Sequence, residues 1–194
     1  TRRTLAQYSD VVVVGSSCAA HRGIGEPYLP FLEILHILSG DIESRRQNGT
    51  LLPEQANRLW ELWPATMQTL IDDGPGLVGS MLPTKSLLLS AQTFTPDAPW
   101  VHDLQRLARK ESTLASSITT QQGLYFEQII RVLSSLPRLS PLILLLDDLQ
   151  WADDRTLSLL FHLGRRLDGL RLLVIGAYRP ADLDSQQCSQ DQSI

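Results

Sequence analysis

The chain has 194 residues, of which 43% are hydrophobic and 20% are charged, and its formal net charge is −4. This length predicts one domain or slightly more, and a pI near 5.5 disfavours binding to a nucleic-acid backbone. The longest apolar run, Leu142–Leu146, is far shorter than the roughly 18 residues that a membrane span needs. Cys18 and Cys188 lie far apart in a chain without a signal-peptide pattern, so we expect a reducing, cytoplasmic location.

The first part of the chain predicts one strand followed by a helix. The β-branched run Val11–Val14 ends at Gly15 and predicts a buried strand over residues 11–16. Pro30 at the start and Gly40 at the end delimit a mostly buried helix.

Residues 27–136 are predicted to be largely helical. Pro53 and Pro64 are each predicted to begin a helix, because proline is favoured in the first helical turn. Residues 72–98, which are rich in glycine and proline, predict a loop, and residues 101–108 predict one more amphipathic helix.

The second half alternates helices with strands. The predicted elements are a helix ending at Pro137, a strand at Leu142–Leu146, a helix capped by Asp153 or Asp154, a strand at Leu172–Ile175 and a disordered polar tail over residues 185–194. Strands joined by helices predict right-handed crossovers and a parallel sheet, hence an α/β fold.

The most informative motif is LILLLDDLQWAD, which begins at Leu142. An apolar strand that ends in two carboxylates brings Asp147 to the carboxyl edge of the sheet, where ligands of open α/β sheets bind. There Asp147 can hold Mg²⁺ through its water shell, and Asp148 can polarise a water for attack on a phosphate. The alternative interpretation is that the two aspartates only begin a loop.

This motif, the following TLSLLFHLGRRLDGL and the strand LLVIGAYRP resemble part of a known family, and so does the earlier GEPYLPFLEIL. They are similar to the segment from Walker B to the sensor in the AAA-like signal-transduction ATPases with numerous domains. The resemblance covers roughly residues 8 to 183. It implies a parallel-sheet P-loop NTPase core over residues 1–184, with a helical insertion between the second core strand and the Walker B strand.

The resemblance also implies roles for individual residues and for cofactors. Asp147 matches the magnesium-side acid, Asp148 the catalytic acid, and Arg179 the arginine near the terminal phosphate of the nucleotide. The implied cofactors are ATP and Mg²⁺. Trp151 and Asp153 match the family string without a role that chemistry supplies, so we interpret Trp151 as a core residue and Asp153 as a helix N-cap.

The phosphate loop of the family, G-x-x-x-x-G-K-[ST], is absent before Val11. TRRTLAQYSD resembles the tail of the helix that follows such a loop, and the chain begins with Thr1, so we expect an amino-terminally truncated domain. The nearest internal string, Gly79–Ser86, has Thr84 where the second glycine belongs, and Pro83 removes an amide donor from the cradle. It is disfavoured as a phosphate loop.

The sequence also offers weaker signals for a hydrolase site and for a metal site. Gly15-Ser16-Ser17-Cys18-Ala19 imitates a nucleophile elbow, with Asp147 and His162 in hydrolase order, but the residues after it are broken by glycines and prolines. The histidines do not have metal-ligand spacing, and we interpret Cys18 as a small core residue. The histidines are His21, His36, His102 and His162.

The sequence therefore predicts a nucleotide-dependent switch that works with other domains of its polypeptide, including a phosphate-loop segment and an output domain. Homo-oligomerisation is compatible with this interpretation. The alternative is a non-enzymatic interaction scaffold with a relic nucleotide site. The resemblance further implies that the strand before the phosphate loop lies between Leu142–Leu146 and Leu172–Ile175. We therefore expect these 194 residues alone to be marginally stable or aggregation-prone and without ATPase activity.

Overall fold

The computed structural model describes residues 10–18, 27–111 and 118–180. In chain order the elements are β1 (Val12–Ser17), α1 (Leu29–Ser39), α2 (Ile42–Gln47), α3 (Pro53–Asp73), α4 (Thr84–Phe94), α5 (Trp100–Glu111), α6 (Ile118–Leu139), β2 (Leu142–Asp147), α7 (Asp154–Gly164) and β3 (Leu172–Gly176). A 3₁₀ turn, Leu149–Trp151, joins β2 to α7. The predicted α/β class is confirmed. The predicted polar tail lies outside the described residues.

The three strands form a parallel sheet in the order β1-β2-β3. The expectation that a further strand separates β2 from β3 is wrong, because Leu142 pairs with Leu172 and Leu146 pairs with Gly176. The crossover between these strands is the single helix α7 with short connections, and such consecutive strands commonly pair directly. Both edges of β2 are therefore hydrogen-bonded, so unpaired edges of β2 are not a source of instability. The expected marginal stability of these 194 residues stays a prediction.

The described helices cover one face of the sheet because both crossovers, β1 to β2 and β2 to β3, move across the sheet in the same direction. Right-handed crossovers of this kind bring their helices to the same side. Side chains on that face are buried, namely Val12, Val14, Leu142, Leu144, Leu146 and Leu172. On the opposite face Leu173 and Ile175 are 52% and 45% exposed.

The two outer edges of the sheet differ in how they are covered. At the edge of β1, the Val13 amide donates to the Gln55 side chain at 3.0 Å, and Arg58 donates to the Val11 carbonyl at 3.0 Å. Both side chains come from α3. No residue in the described part of the chain pairs with the outer edge of β3.

Helix α3 is continuous through Pro64, so the prediction of two separate helices is wrong. Proline removes one helical hydrogen bond, but tertiary packing holds the helix together. The Trp63 side chain is 1% exposed and donates to the Ser39 carbonyl at 2.8 Å, and its ring lies against those of Trp60 and Trp100.

Two further helix boundaries differ from the prediction. Residues 84–94, predicted as part of a loop, form α4, whose Leu87 and Ala91 are buried one turn apart. Helix α6 continues past Pro137 to Leu139. In both cases packing against neighbouring helices outweighs the local glycine and proline signals.

Candidate functional site

The carboxyl ends of the three strands bring the predicted site residues together at one edge of the sheet. Ser17, the last residue of β1, is directly paired with Asp147, the last residue of β2. The chain leaving β3 then hydrogen-bonds to β2, since the Ala177 amide donates to the Leu146 carbonyl at 2.8 Å and the Leu149 amide donates back to Ala177 at 2.9 Å. Asp147, Asp148 and Arg179 consequently lie at the same edge.

Asp147 is exposed at the end of β2. Its Oδ1 accepts the Asp148 amide at 2.9 Å, and its backbone carbonyl accepts the Cys18 amide at 2.9 Å. Within the described residues, Oδ2 has no hydrogen-bond donor. This carboxylate is therefore held in one orientation with an oxygen directed to solvent.

Asp148 has left-handed backbone geometry, with φ 55° and ψ 41°, which aspartate tolerates better than most residues. Three side chains donate to its carboxylate. Gln150 Nε2 and Arg179 Nη2 approach Oδ1 at 3.0 and 3.3 Å, and the Ser17 hydroxyl approaches Oδ2 at 3.3 Å. The carboxyl group is thus oriented by all three segments that meet at this edge.

Arg179 is anchored through its backbone while its side chain stays accessible. Its amide donates to Gln150 Oε1 at 3.1 Å, and its side chain is 72% exposed while it contacts Asp148. Gln150, which is 5% exposed, therefore links Asp148 to Arg179. Sequence reasoning missed this role, although Gln150 stands inside the DDLQWAD string.

Two side chains add further negative charge close to the site. Glu33 of α1 accepts the Ser16 hydroxyl at 2.5 Å, a contact between distant segments that the sequence did not predict. Asp153 accepts the amides of Arg155 and Thr156 at 2.9 and 3.1 Å, which confirms it as the N-cap of α7. Trp151 is 40% exposed, so its interpretation as a core residue is wrong.

The acidic side chains at this edge affect the pKa of Cys18. Its thiol is buried, and burial together with the nearby carboxylates of Asp153, Asp148 and Glu33 raises its pKa to about 11. The thiol is thus neutral at physiological pH, as expected for a small core residue rather than a nucleophile.

The described residues do not form the hydrolase site, and they do not form a phosphate loop at Gly79–Ser86. The Ser17 hydroxyl, which would be the nucleophile of the elbow, donates to Asp148 at 3.3 Å rather than to a histidine. The His162 ring packs edge-on against the Phe126 ring, with centroids 5.3 Å apart. At the Gly79–Ser86 string, the Gly79 amide donates to the Leu82 carbonyl at 2.8 Å. An amide used in this way is not available to cradle a phosphate. His21 lies outside the described residues.

In the described part of the chain, no group of three or more His, Cys, Asp or Glu side chains is arranged to hold a metal ion. A cation at the carboxyl edge would therefore take most of its ligands from water and phosphate, which is the usual situation for Mg²⁺. None of the described helices is long and apolar enough to cross a membrane.

The sequence of residues 2–175 matches the family described as the AAA ATPase domain. No curated protein and no solved structure matches the chain. The matched residues include β1, β2, α7 and nearly all of β3.

Proposed function

The chain belongs to the AAA ATPase domain family, and from this premise we propose that it is the ATP-binding regulatory module of a bacterial signalling or transcription-regulatory protein. ATP with Mg²⁺ switches its conformation, and slow hydrolysis resets it. The proposed compartment is the cytoplasm. The proposed partners are other domains of the same polypeptide and further copies of this domain. The observation that carries this proposal is the cluster of Asp147, Asp148 and Arg179 at the carboxyl edge.

The donor set at this edge fits Mg²⁺. Asp147 offers a solvent-directed carboxylate oxygen at the strand end, and Mg²⁺ commonly binds through one carboxylate, water and phosphate oxygens. When bound, the ion would neutralise charge on the phosphates. The role of Asp147 is to receive the water shell of the ion, in an orientation set by the Asp148 amide.

The contact between Asp148 and Arg179 suggests how the module distinguishes ATP from ADP. Because Arg179 is 72% exposed, its ion pair with Asp148 contributes only about 0 to 1 kcal/mol. A terminal phosphate offers Arg179 a more highly charged, bidentate partner. Asp148 keeps its bonds to Ser17 and Gln150 after Arg179 leaves, and so remains oriented to accept a proton from water.

The open edge of β3 is the position that we propose for the strand leading into the phosphate loop. Both edges of β2 are paired, and α3 side chains cover the outer edge of β1. A parallel strand beside β3 would end next to Ala177–Arg179, so that its phosphate loop would face the acidic cluster. We propose that residues 1–194, which contain no G-x-x-x-x-G-K-[ST] string, do not hydrolyse ATP without that loop.

Hydrogen exchange tests the switch in a polypeptide that includes the phosphate loop. With ATP and Mg²⁺ under conditions of slow turnover, exchange should change at residues 148–151 and 177–179 relative to ADP with Mg²⁺. Amides of α2 (Ile42–Gln47) serve as the internal reference, because this helix lies outside the cluster. Identical exchange in the two nucleotide states would contradict the switch.

An interaction scaffold remains the second candidate because apolar side chains are exposed on α7 and β3. Leu157 and Phe161 of α7 are 45% and 63% exposed, and Leu173 and Ile175 of β3 are 52% and 45% exposed. If the polypeptide with its phosphate loop failed to bind ATP while still associating with its other domains, the scaffold would be favoured over the switch.

A further inference from the structure

A polar cavity that is open to solvent, here called the arginine cavity, lies at the opposite edge of the sheet, and its four arginines are exposed. Its volume is about 460 Å³, and it is formed by the end of α3, the last turns of α6 and the segment that follows α7. Its charged lining residues are Asp73, Arg131, Arg138, Arg165, Arg166 and Asp168. Four of its nine lining residues are arginines, although only 17 of the 194 residues of the chain are basic.

The arginine cavity is separate from the candidate nucleotide site. Arg138 shortly precedes the first residue of β2, and Asp168 shortly precedes the first residue of β3. Both therefore lie at the amino edge of the sheet, whereas Asp147 and Arg179 lie at the carboxyl edge. A strand of this length spans about 20 Å between the two edges.

The positive charge of the arginine cavity is not balanced by its acidic neighbours. Four arginines and two aspartates leave a formal excess of two positive charges in a chain whose net charge is −4. Among the described residues, the one ion pair that these arginines form is between Arg166 and Glu127 at 3.5 Å. Arg165 lies over the Phe161 ring at 5.8 Å, which restrains its side chain.

Arg138 stands in the last turn of α6 and Arg165 at the C-cap of α7, where the helix dipole favours a cation, but their side chains do not bind the helix carbonyls among the described residues. Basic side chains often bind the last carbonyls of a helix. Here Arg171 does so, since it donates to the carbonyls of Pro137 and Arg138 at 3.2 and 2.7 Å. Arg131 and Arg138 are exposed and form no ion pair among the described residues, so their guanidinium groups are available to a ligand.

We propose that the arginine cavity binds a small anion that carries at least two linked phosphate groups, without requiring Mg²⁺. Planar guanidinium groups bind phosphate oxygens in pairs, and several of them suit a diphosphate better than a single charge does. The volume is within the range of small-molecule sites. The ligand is either a free inorganic diphosphate or the diphosphate of a nucleotide.

Calorimetric titration of the full polypeptide with inorganic pyrophosphate in EDTA tests the proposal. The variant R131Q/R138Q should lose one binding event, or bind at that site at least about 10-fold more weakly, because each charge-assisted hydrogen bond is worth a comparable factor. R46Q/R106Q is the matched control, since it removes the same charge from two arginines outside the cavity. R131K/R138K should give intermediate binding, because lysine keeps the positive charge but cannot form the paired hydrogen bonds of a guanidinium group.

The outcomes decide the proposal independently of the nucleotide site. Binding by R131Q/R138Q equal to that of the R46Q/R106Q control would overturn it, provided that both melt at the wild-type temperature. Asp147→Ala should leave the pyrophosphate site unchanged, and loss of that site in Asp147→Ala would assign the binding to the carboxyl edge instead. A second titration uses ADP. If ADP binds more tightly than pyrophosphate and R131Q/R138Q weakens that binding, the ligand is a nucleotide. If ADP and pyrophosphate bind equally well, the site recognises the diphosphate alone.

Discussion

The carboxyl and amino edges of the sheet differ in how their charged side chains are paired. At the carboxyl edge Asp148 is held by Ser17, Gln150 and Arg179, so the site is assembled before a ligand arrives. At the amino edge the arginines line a cavity, and the described residues provide them with one ion pair, to Glu127. The comparison therefore separates our two proposals, a metal-bound nucleotide at the acidic edge and an anion without a metal at the basic edge.

The largest expected effect of a substitution is at Asp147. In a polypeptide with the phosphate loop, Asp147→Ala should abolish ATP turnover, because this side chain is the one we assign to the metal. Steady-state phosphate release measures the effect, and Asp97→Ala, which removes an exposed carboxylate outside the site, is the control. ATP turnover that persisted in Asp147→Ala would contradict the assignment of the metal to the carboxyl edge.

Asp148→Asn separates chemistry from binding at the same edge. We expect hydrolysis to slow by about 10² to 10⁴, the usual contribution of a positioned general base, while nucleotide affinity stays nearly unchanged. Single-turnover kinetics and equilibrium titration measure the two quantities separately. Equal losses of rate and affinity would mean that Asp148 binds the metal or maintains the structure.

Arg179→Ala should have a smaller effect, on discrimination between nucleotides. Loss of one charge-assisted contact to the terminal phosphate should weaken ATP binding by about 10-fold and leave ADP binding nearly unchanged. Competition titrations with both nucleotides give the ratio. An equal loss for ATP and ADP would place the guanidinium away from the terminal phosphate.

The smallest expected effect is the pH dependence of Cys18, which tests the acidic character of the carboxyl edge. The folded pKa is about 11 and the reference value is 9.0, so the stability linked to this thiol is present below pH 9 and is lost as pH rises through 11. The difference in free energy of unfolding between the wild type and Cys18→Ala should therefore fall as pH rises from 9 to 11, as measured by denaturant titration. A difference that stays constant over this range would contradict the burial and the charge described here.

The strands and the position of the aspartates were predictable because their signals are local. Runs such as Val11–Val14 and Leu142–Leu146 are apolar and too short for helices, and Asp147 follows directly at the strand end. The strand order was not predictable in the same way, since the pairing of β2 with β3 depends on the crossover through α7.

Contacts between distant segments account for the residues that sequence reasoning missed. Nothing near Glu33 indicates that it accepts a bond from Ser16, and nothing near Pro64 indicates that Trp63 will be locked to Ser39. The arginine cavity is likewise formed by segments that are separated in sequence and meet only after folding.

The central claim is that the carboxyl edge binds ATP through Mg²⁺ and Asp147. Calorimetric titration of the polypeptide with its phosphate loop, with ATP in the presence and absence of Mg²⁺, tests it most directly. We predict that Mg²⁺ strengthens ATP binding in the wild type and in R131Q/R138Q, and that this gain disappears in Asp147→Asn. A gain from Mg²⁺ that is the same in Asp147→Asn as in the wild type would contradict the claim.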